Sequence, residues 1–164
     1  MSFRDEALAA NAHYAADLAD RDRPAPPTRR VAVVACMDAR LRPEDALGLS
    51  LGEAHVIRNA GGRVTDDVVR SLMLSSGVLG TREAVVIHHT DCGLLGATND
   101  RLRERVAEIT GQSVSTDFLP FDDALATLTG DVRAIEGDAR LAFEDVTGLF
   151  YDVRTGRLHE IDTG

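Results

Sequence analysis

At 164 residues, 44% of them apolar, the chain has the size of a single domain with a substantial core. A formal net charge of −9 argues against non-specific binding to nucleic acid or to an anionic membrane surface, and no apolar run is long enough to cross a bilayer. The opening Met1-Ser2-Phe3-Arg4-Asp5-Glu6 is too acidic and too polar for a signal peptide, so the expected location is cytoplasmic.

Residues 3–20 set Ala7, Leu8, Ala15 and Leu18 among charged side chains without Gly or Pro, which predicts an amphipathic helix. Arg23–Thr28 carries Pro24, Pro26 and Pro27 and reads as a stiff, extended linker. Residues 1–28 are thus an N-terminal helical arm, and 29–164 the core. Arg30–Ala35 is almost continuously apolar, as in a strand buried on both faces of a parallel sheet. Pro43–Leu47 predicts a short helix, and Ala54–Arg58 a second strand that runs into Asn59-Ala60-Gly61-Gly62, where two glycines permit a close approach.

Asp66 is placed to cap a helix that reaches about Leu79, with Gly80 as its stop, and Glu83–His89 is the third strand. The strand, helix, strand order favours a right-handed parallel crossover, with ligands gathered at the carboxyl ends of the strands. Ala97–Ile109 reads as a charged helix. Two further helices, Asp122–Leu128 and Asp131–Phe143, are predicted on either side of Gly130. Val146–Val153 and Leu158–Ile161 form a hairpin around Arg154-Thr155-Gly156-Arg157. The fold class is α/β, a mainly parallel sheet flanked by helices, with the N-terminal arm at one end of the chain and the C-terminal hairpin at the other.

Two of the strands end in groups with chemistry. The first runs into Cys36-Met37-Asp38-Ala39-Arg40, the third into His88-His89-Thr90-Asp91-Cys92-Gly93. No other cysteine exists, and without a signal peptide a disulfide is disfavoured. Singly, each cysteine is more simply a small buried hydrophobe. Together with a histidine three residues before Cys92, the set Cys36, His89 and Cys92 suits Zn2+, which takes three protein ligands in catalytic sites and leaves a fourth position open. Alternation along the strand sends His88 and His89 to opposite faces, so His88 is read as a packed supporting residue. Asp38 either coordinates the metal as a fourth ligand in a closed state or accepts a hydrogen bond from water on it. Pairing with Arg40 would hold it off the metal, although an ordinary loop ion pair is the plainer reading of the two alone. Arg30, Arg40, Arg58 and Arg63 fall near these loops and predict an electropositive pocket for a small anion.

Cys36-x-Asp38-x-Arg40, His89-x-x-Cys92-Gly93, Arg58-Asn59-Ala60-Gly61 and Tyr151-Asp152-Val153-x-Thr155-Gly156 together resemble the β-class carbonic anhydrases, over about 30–161. The resemblance implies zinc on Cys36, His89 and Cys92 and an Asp38/Arg40 catalytic dyad. It also implies reversible hydration of carbon dioxide to bicarbonate by metal-bound hydroxide, with backbone near Gly61 and Gly93 lining the substrate pocket. A homodimer, or dimer of dimers, whose N-terminal helix embraces its partner is implied as well. Ala39 stands where the family commonly has Ser, and no Gln precedes the first strand. Enzymes that hydrolyse carbonyl sulfide share these motifs, so hydrolysis of such a heterocumulene is the alternative. A non-catalytic zinc-stabilised binding domain is the third reading, which has no use for the dyad.

Overall fold

The computed structural model describes residues 2–19 and 22–163. Its centre is a five-stranded sheet of order β2-β1-β3-β4-β5, built from β1 (Val31–Cys36), β2 (Ala54–Asn59), β3 (Glu83–His89), β4 (Asp145–Tyr151) and β5 (Leu158–Glu160). The first four are parallel, and β5 returns antiparallel to β4 as the predicted hairpin. Register places Cys36 opposite Asn59, and His89 opposite Tyr151. The carboxyl ends of β1, β2, β3 and β4 therefore share one rim, where a parallel sheet collects its ligands.

The apolar runs are explained by what covers them. Ala32 and Val34 of β1 and Ala84 and Val86 of β3 pack under helices α3 (Asp66–Gly77) and α5 (Ala124–Glu136), while Val33, Ala35 and Ile87 face the other way. The short α2 (Pro43–Leu47) follows the loop after β1 as expected, and α4 (Asn99–Thr110) begins at the capping residue Thr98 and ends at Gly111 in the left-handed conformation. No helix among the described residues is long and apolar enough to cross a membrane.

Four expectations change. The predicted helices on either side of Gly130 are one helix, α5, and residues 137–143 are not helical. A mid-helix glycine costs about 1 kcal/mol relative to alanine, less than is gained by burying Leu128, Val132 and Ile135 on one continuous face. The cap of α3 is Thr65, whose side chain accepts from the Val68 amide, and Asp66 lies in the first turn. Helix α1 (Phe3–Asp17) starts at a Ser2/Asp5 capping box but ends before the predicted residue 20, which lies outside the described residues. None of its residues is buried, so its apolar side chains have no cover from their own chain. Finally, Arg30 sits at the amino end of β1, where its Nε donates to the Gly80 carbonyl, far along the strand from Cys36. The four-arginine pocket does not form.

Candidate metal centre

Cys36 ends β1 and His89 ends β3, and the chain then doubles back within three residues to present Cys92. The reversal is made at Asp91, which has φ of 56°, a left-handed conformation that Asp tolerates better than most residues. Thr90 fixes the turn, its amide donating to the Tyr151 carbonyl and its hydroxyl accepting from the Val153 amide. The terminal Tyr151-Asp152-Val153 stretch thereby supports the loop that carries two of the candidate ligands. The Sγ atoms of Cys36 and Cys92 and a ring nitrogen of His89 lie within 4.8 Å of one another, and all three residues are buried.

The donor set fits a soft or borderline divalent cation, and two local features are consistent with one. His89 Nδ1 donates to the Thr90 carbonyl at 2.8 Å, which leaves Nε2 as the lone-pair nitrogen; Nε2 is buried and has no hydrogen-bond partner. A buried acceptor of this kind is costly unless something binds it. The two thiols, in turn, push each other's titration in opposite directions. The neighbouring Cys92 outweighs burial and draws the Cys36 pKa down to about 4, while Cys92 beside that thiolate is pushed up. Both sulfurs become thiolates together only when a cation takes the place of the remaining proton. For His89, burial favours the neutral ring, while Cys36, the Thr90 carbonyl and the Asp38 charge act together to raise its pKa.

Asp38 lies beside this group, its Oδ2 4.0 Å from His89 Nε2, too long for a hydrogen bond. Arg40 holds it: Nη2 donates to Oδ2 at 2.7 Å and Nε to Oδ1 at 3.0 Å, and the Arg40 amide also donates to Oδ1. These bonds keep the carboxyl well below the usual carboxylate range. Nη2 of Arg40 also donates to the Asp91 carbonyl, joining the loop after β1 to the loop after β3. Arg58 donates from Nε to the Cys36 carbonyl and from Nη2 to the Asp38 carbonyl, so it braces the first loop from β2.

A Cβ on Gly61 would stand 2.9 Å from Leu94 Cδ1, so the backbone there is tightly enclosed. Gly93 borders an open groove of about 530 Å³, lined among others by Leu95, Ala97 and Arg105, and a Cβ added to it meets nothing within 4 Å. His88, read from the sequence as a packed supporting residue, is 1% exposed, with Nε2 3.1 Å from Asp131 Oδ2, an ion-pair approach without hydrogen-bond geometry. The sequence reading did not single out Asp131. Its signal was available in the pattern Leu128, Asp131, Val132, Ile135, a carboxylate on the apolar face of one helix, which the predicted break at Gly130 concealed.

A carbonic anhydrase family model matches residues 31–118. The chain is 42% identical to β-carbonic anhydrase 1 of Mycobacterium tuberculosis over 162 residues, 98% of this chain and 99% of that protein. It is 45% identical to a carbon disulfide hydrolase of Acidianus sp. over 82% of this chain and 78% of that one. The crystal structure of a carbonic anhydrase from Streptococcus mutans superposes with a TM-score of 0.92 at 42% identity, covering 99% of both chains. With this fold, this cluster of ligand-type side chains and likeness over nearly its whole length, the chain belongs to the β-carbonic anhydrase family.

Proposed function

We propose that the chain hydrates carbon dioxide reversibly to bicarbonate with zinc held by Cys36, His89 and Cys92. The observation that carries this reading is the Asp38/Arg40 pair, held ionised at 4.0 Å from the unpartnered His89 nitrogen. A purely structural zinc site is closed by four ligands and has no need of a fixed carboxylate beside it. Zinc, when bound, supplies the Lewis acidity that brings a water to a pKa of about 7 in the three-histidine site of other carbonic anhydrases.

The chain's own residues do the rest. An ionised carboxylate only accepts hydrogen bonds, so Asp38 would accept one from a hydroxyl group beside it and so turn that oxygen's lone pair toward the substrate carbon. Arg40 keeps the carboxylate charged and turned away from His89 Nε2. Backbone about Gly61 and Gly93, the latter next to Cys92, lines the approach for a small linear substrate. The exposed Phe3, Leu8 and Tyr14 of α1 support assembly as a homodimer, or a dimer of dimers, in which that helix packs on its neighbour. The expected location remains cytoplasmic.

A second substrate is favoured by one finding, the 45% identity to a carbon disulfide hydrolase. Carbon disulfide and carbonyl sulfide are linear heterocumulenes open to the same first attack. The test is stopped-flow carbon dioxide hydration on protein of measured zinc content, with sulfide release from both heterocumulenes followed on the same sample. About one zinc per chain with fast hydration is the expected result. Zinc with sulfide release and little hydration moves the substrate to the heterocumulenes, and zinc with neither leaves a binding domain.

A further inference from the structure

Asp131 is a carboxylate, 5% exposed, on a helix face otherwise made of Leu128, Val132 and Ile135. Ion pairs in such places seldom stabilise a fold beyond what apolar side chains of the same volume achieve, so its presence calls for another account. Its contacts supply one. Oδ2 accepts from Arg63 Nε at 2.7 Å and lies 3.1 Å from His88 Nε2, and Oδ1 accepts from the Val64 amide at 3.2 Å.

Two of these contacts lead to segments that carry or pack against a candidate ligand. Arg63 closes the 59–63 turn, where its amide and carbonyl are both held by the Asn59 side chain; within that turn Gly62 lies so close to the Cys36 backbone that a Cβ on it would stand 2.9 Å from the Cys36 amide nitrogen. His88 immediately precedes His89. Arg63 also donates from Nη1 to the Leu119 carbonyl, and both it and His88 lie on the Phe121 ring, at 5.8 and 5.9 Å from its centroid. The backbone of Phe121 exchanges hydrogen bonds with Leu94 and Gly96, just after Cys92.

We propose that Asp131 is a positioning residue for the metal centre, drawing together from behind, through Arg63 and His88, the three segments that present Cys36, His89 and Cys92. It touches neither metal nor substrate. The inference rests on the reading of that cluster as a metal site, and it predicts that the buried charge serves ligand geometry more than fold stability.

The test measures zinc affinity by chelator competition and, in cobalt-loaded protein, the thiolate-to-cobalt charge-transfer bands, beside urea unfolding of the apoprotein. Asp131→Leu and Arg63→Gln are compared with Val132→Ala, which opens a cavity on the same helix face without touching the carboxylate. The expected result is a ~10- to 100-fold weaker zinc affinity and altered cobalt bands in the first two, a loss of the size seen when groups that orient metal ligands are removed. Val132→Ala is expected to lower the unfolding midpoint while leaving affinity and bands unchanged. Parental affinity and cobalt bands in whichever of Asp131→Leu and Arg63→Gln folds would overturn the inference, as would an equal loss of affinity in Val132→Ala. Should neither fold while Asp131→Asn folds and binds zinc as the parent does, it is overturned as well. Failure of the parent itself to bind zinc or cobalt would instead overturn the metal reading.

Discussion

Gly62 gives the most direct test of how the core holds the centre. Its φ is 68°, in the left-handed region, and a Cβ there would lie 2.9 Å from the Cys36 amide nitrogen, 2.9 Å from the Ile87 carbonyl oxygen and 3.0 Å from the Ala35 carbonyl carbon. All three are backbone atoms of the two central strands, so no side chain can swing aside. For Gly62→Ala the left-handed backbone costs roughly 1–2 kcal/mol and the overlap about 1–3 kcal/mol more, for a loss of ~2–5 kcal/mol. With a urea dependence of about 2 kcal/mol per M, the unfolding midpoint falls by roughly 1–2.5 M. Gly130→Ala is the matched control, since a Cβ there meets nothing within 4 Å and the backbone is helical; it should gain up to about 1 kcal/mol. Because the overlap falls on the Cys36 amide, zinc affinity should drop in the first variant and hold in the second. A Gly62→Ala protein within about 0.5 kcal/mol of the parent, the range of neutral surface changes, would refute the reasoning.

Cys92→Ser should lose zinc and carbon dioxide turnover together, measured by metal analysis and stopped flow; full turnover without zinc would remove Cys92 from the site. Asp38→Ala should keep zinc while kcat/KM falls at least ~10²-fold, the scale of a lost positioned acid–base group, and parental turnover would take Asp38 out of the mechanism. Arg40→Ala leaves Asp38 only the backbone amide of residue 40, so the carboxylate is free to turn toward His89 Nε2; X-ray absorption should find an oxygen of Asp38 on the zinc and turnover should fall, and an unchanged shell and rate would sink the idea that Arg40 holds Asp38 off the metal. Asp131 adds a pH dependence. Burial opposes its ionisation, but His88 and Arg63 hold its pKa below the ordinary value, so its share of stability is complete above about pH 4 and is lost as pH falls further. The difference in unfolding midpoint between parent and Asp131→Asn should shrink over that range, and a constant difference down to pH 2 would contradict this.

The sheet was legible because a strand buried on both faces writes itself as a continuous apolar run, and β1 and β3 are such runs. The candidate ligands were legible because they follow those runs directly, so locating the strand ends located Cys36 and His89. Long-range placement left weaker marks. Arg30 and Arg63 are near the motifs in the chain, yet Arg30 belongs to the opposite end of β1 and Arg63 turns away to Asp131. The break expected at Gly130 failed because a local penalty of about 1 kcal/mol is smaller than the tertiary burial of a whole helix face.

The Asp-Ala-Arg triplet shows how far a local motif reaches. The chain contains it twice, at 38–40 and at 138–140. In the second copy the Arg140 amide and Nε donate to Asp138 Oδ1 at 3.0 and 2.9 Å and Nη2 donates to Oδ2 at 2.6 Å, the same three bonds as in the first. Asp138 is held down to about 2, by the Arg140 side chain and then its amide, as Asp38 is lowered by Arg40. The paired geometry and the ionised carboxylate are thus properties of the triplet's own turn, and neither requires a metal nearby. What distinguishes the first copy is its surroundings: Cys36 two residues earlier, His89 Nε2 4.0 Å away, and the bond from Arg40 to the Asp91 carbonyl that ties it to the second ligand loop. The triplet makes the tool, and the register of β1 against β3 sets it where it has something to act on.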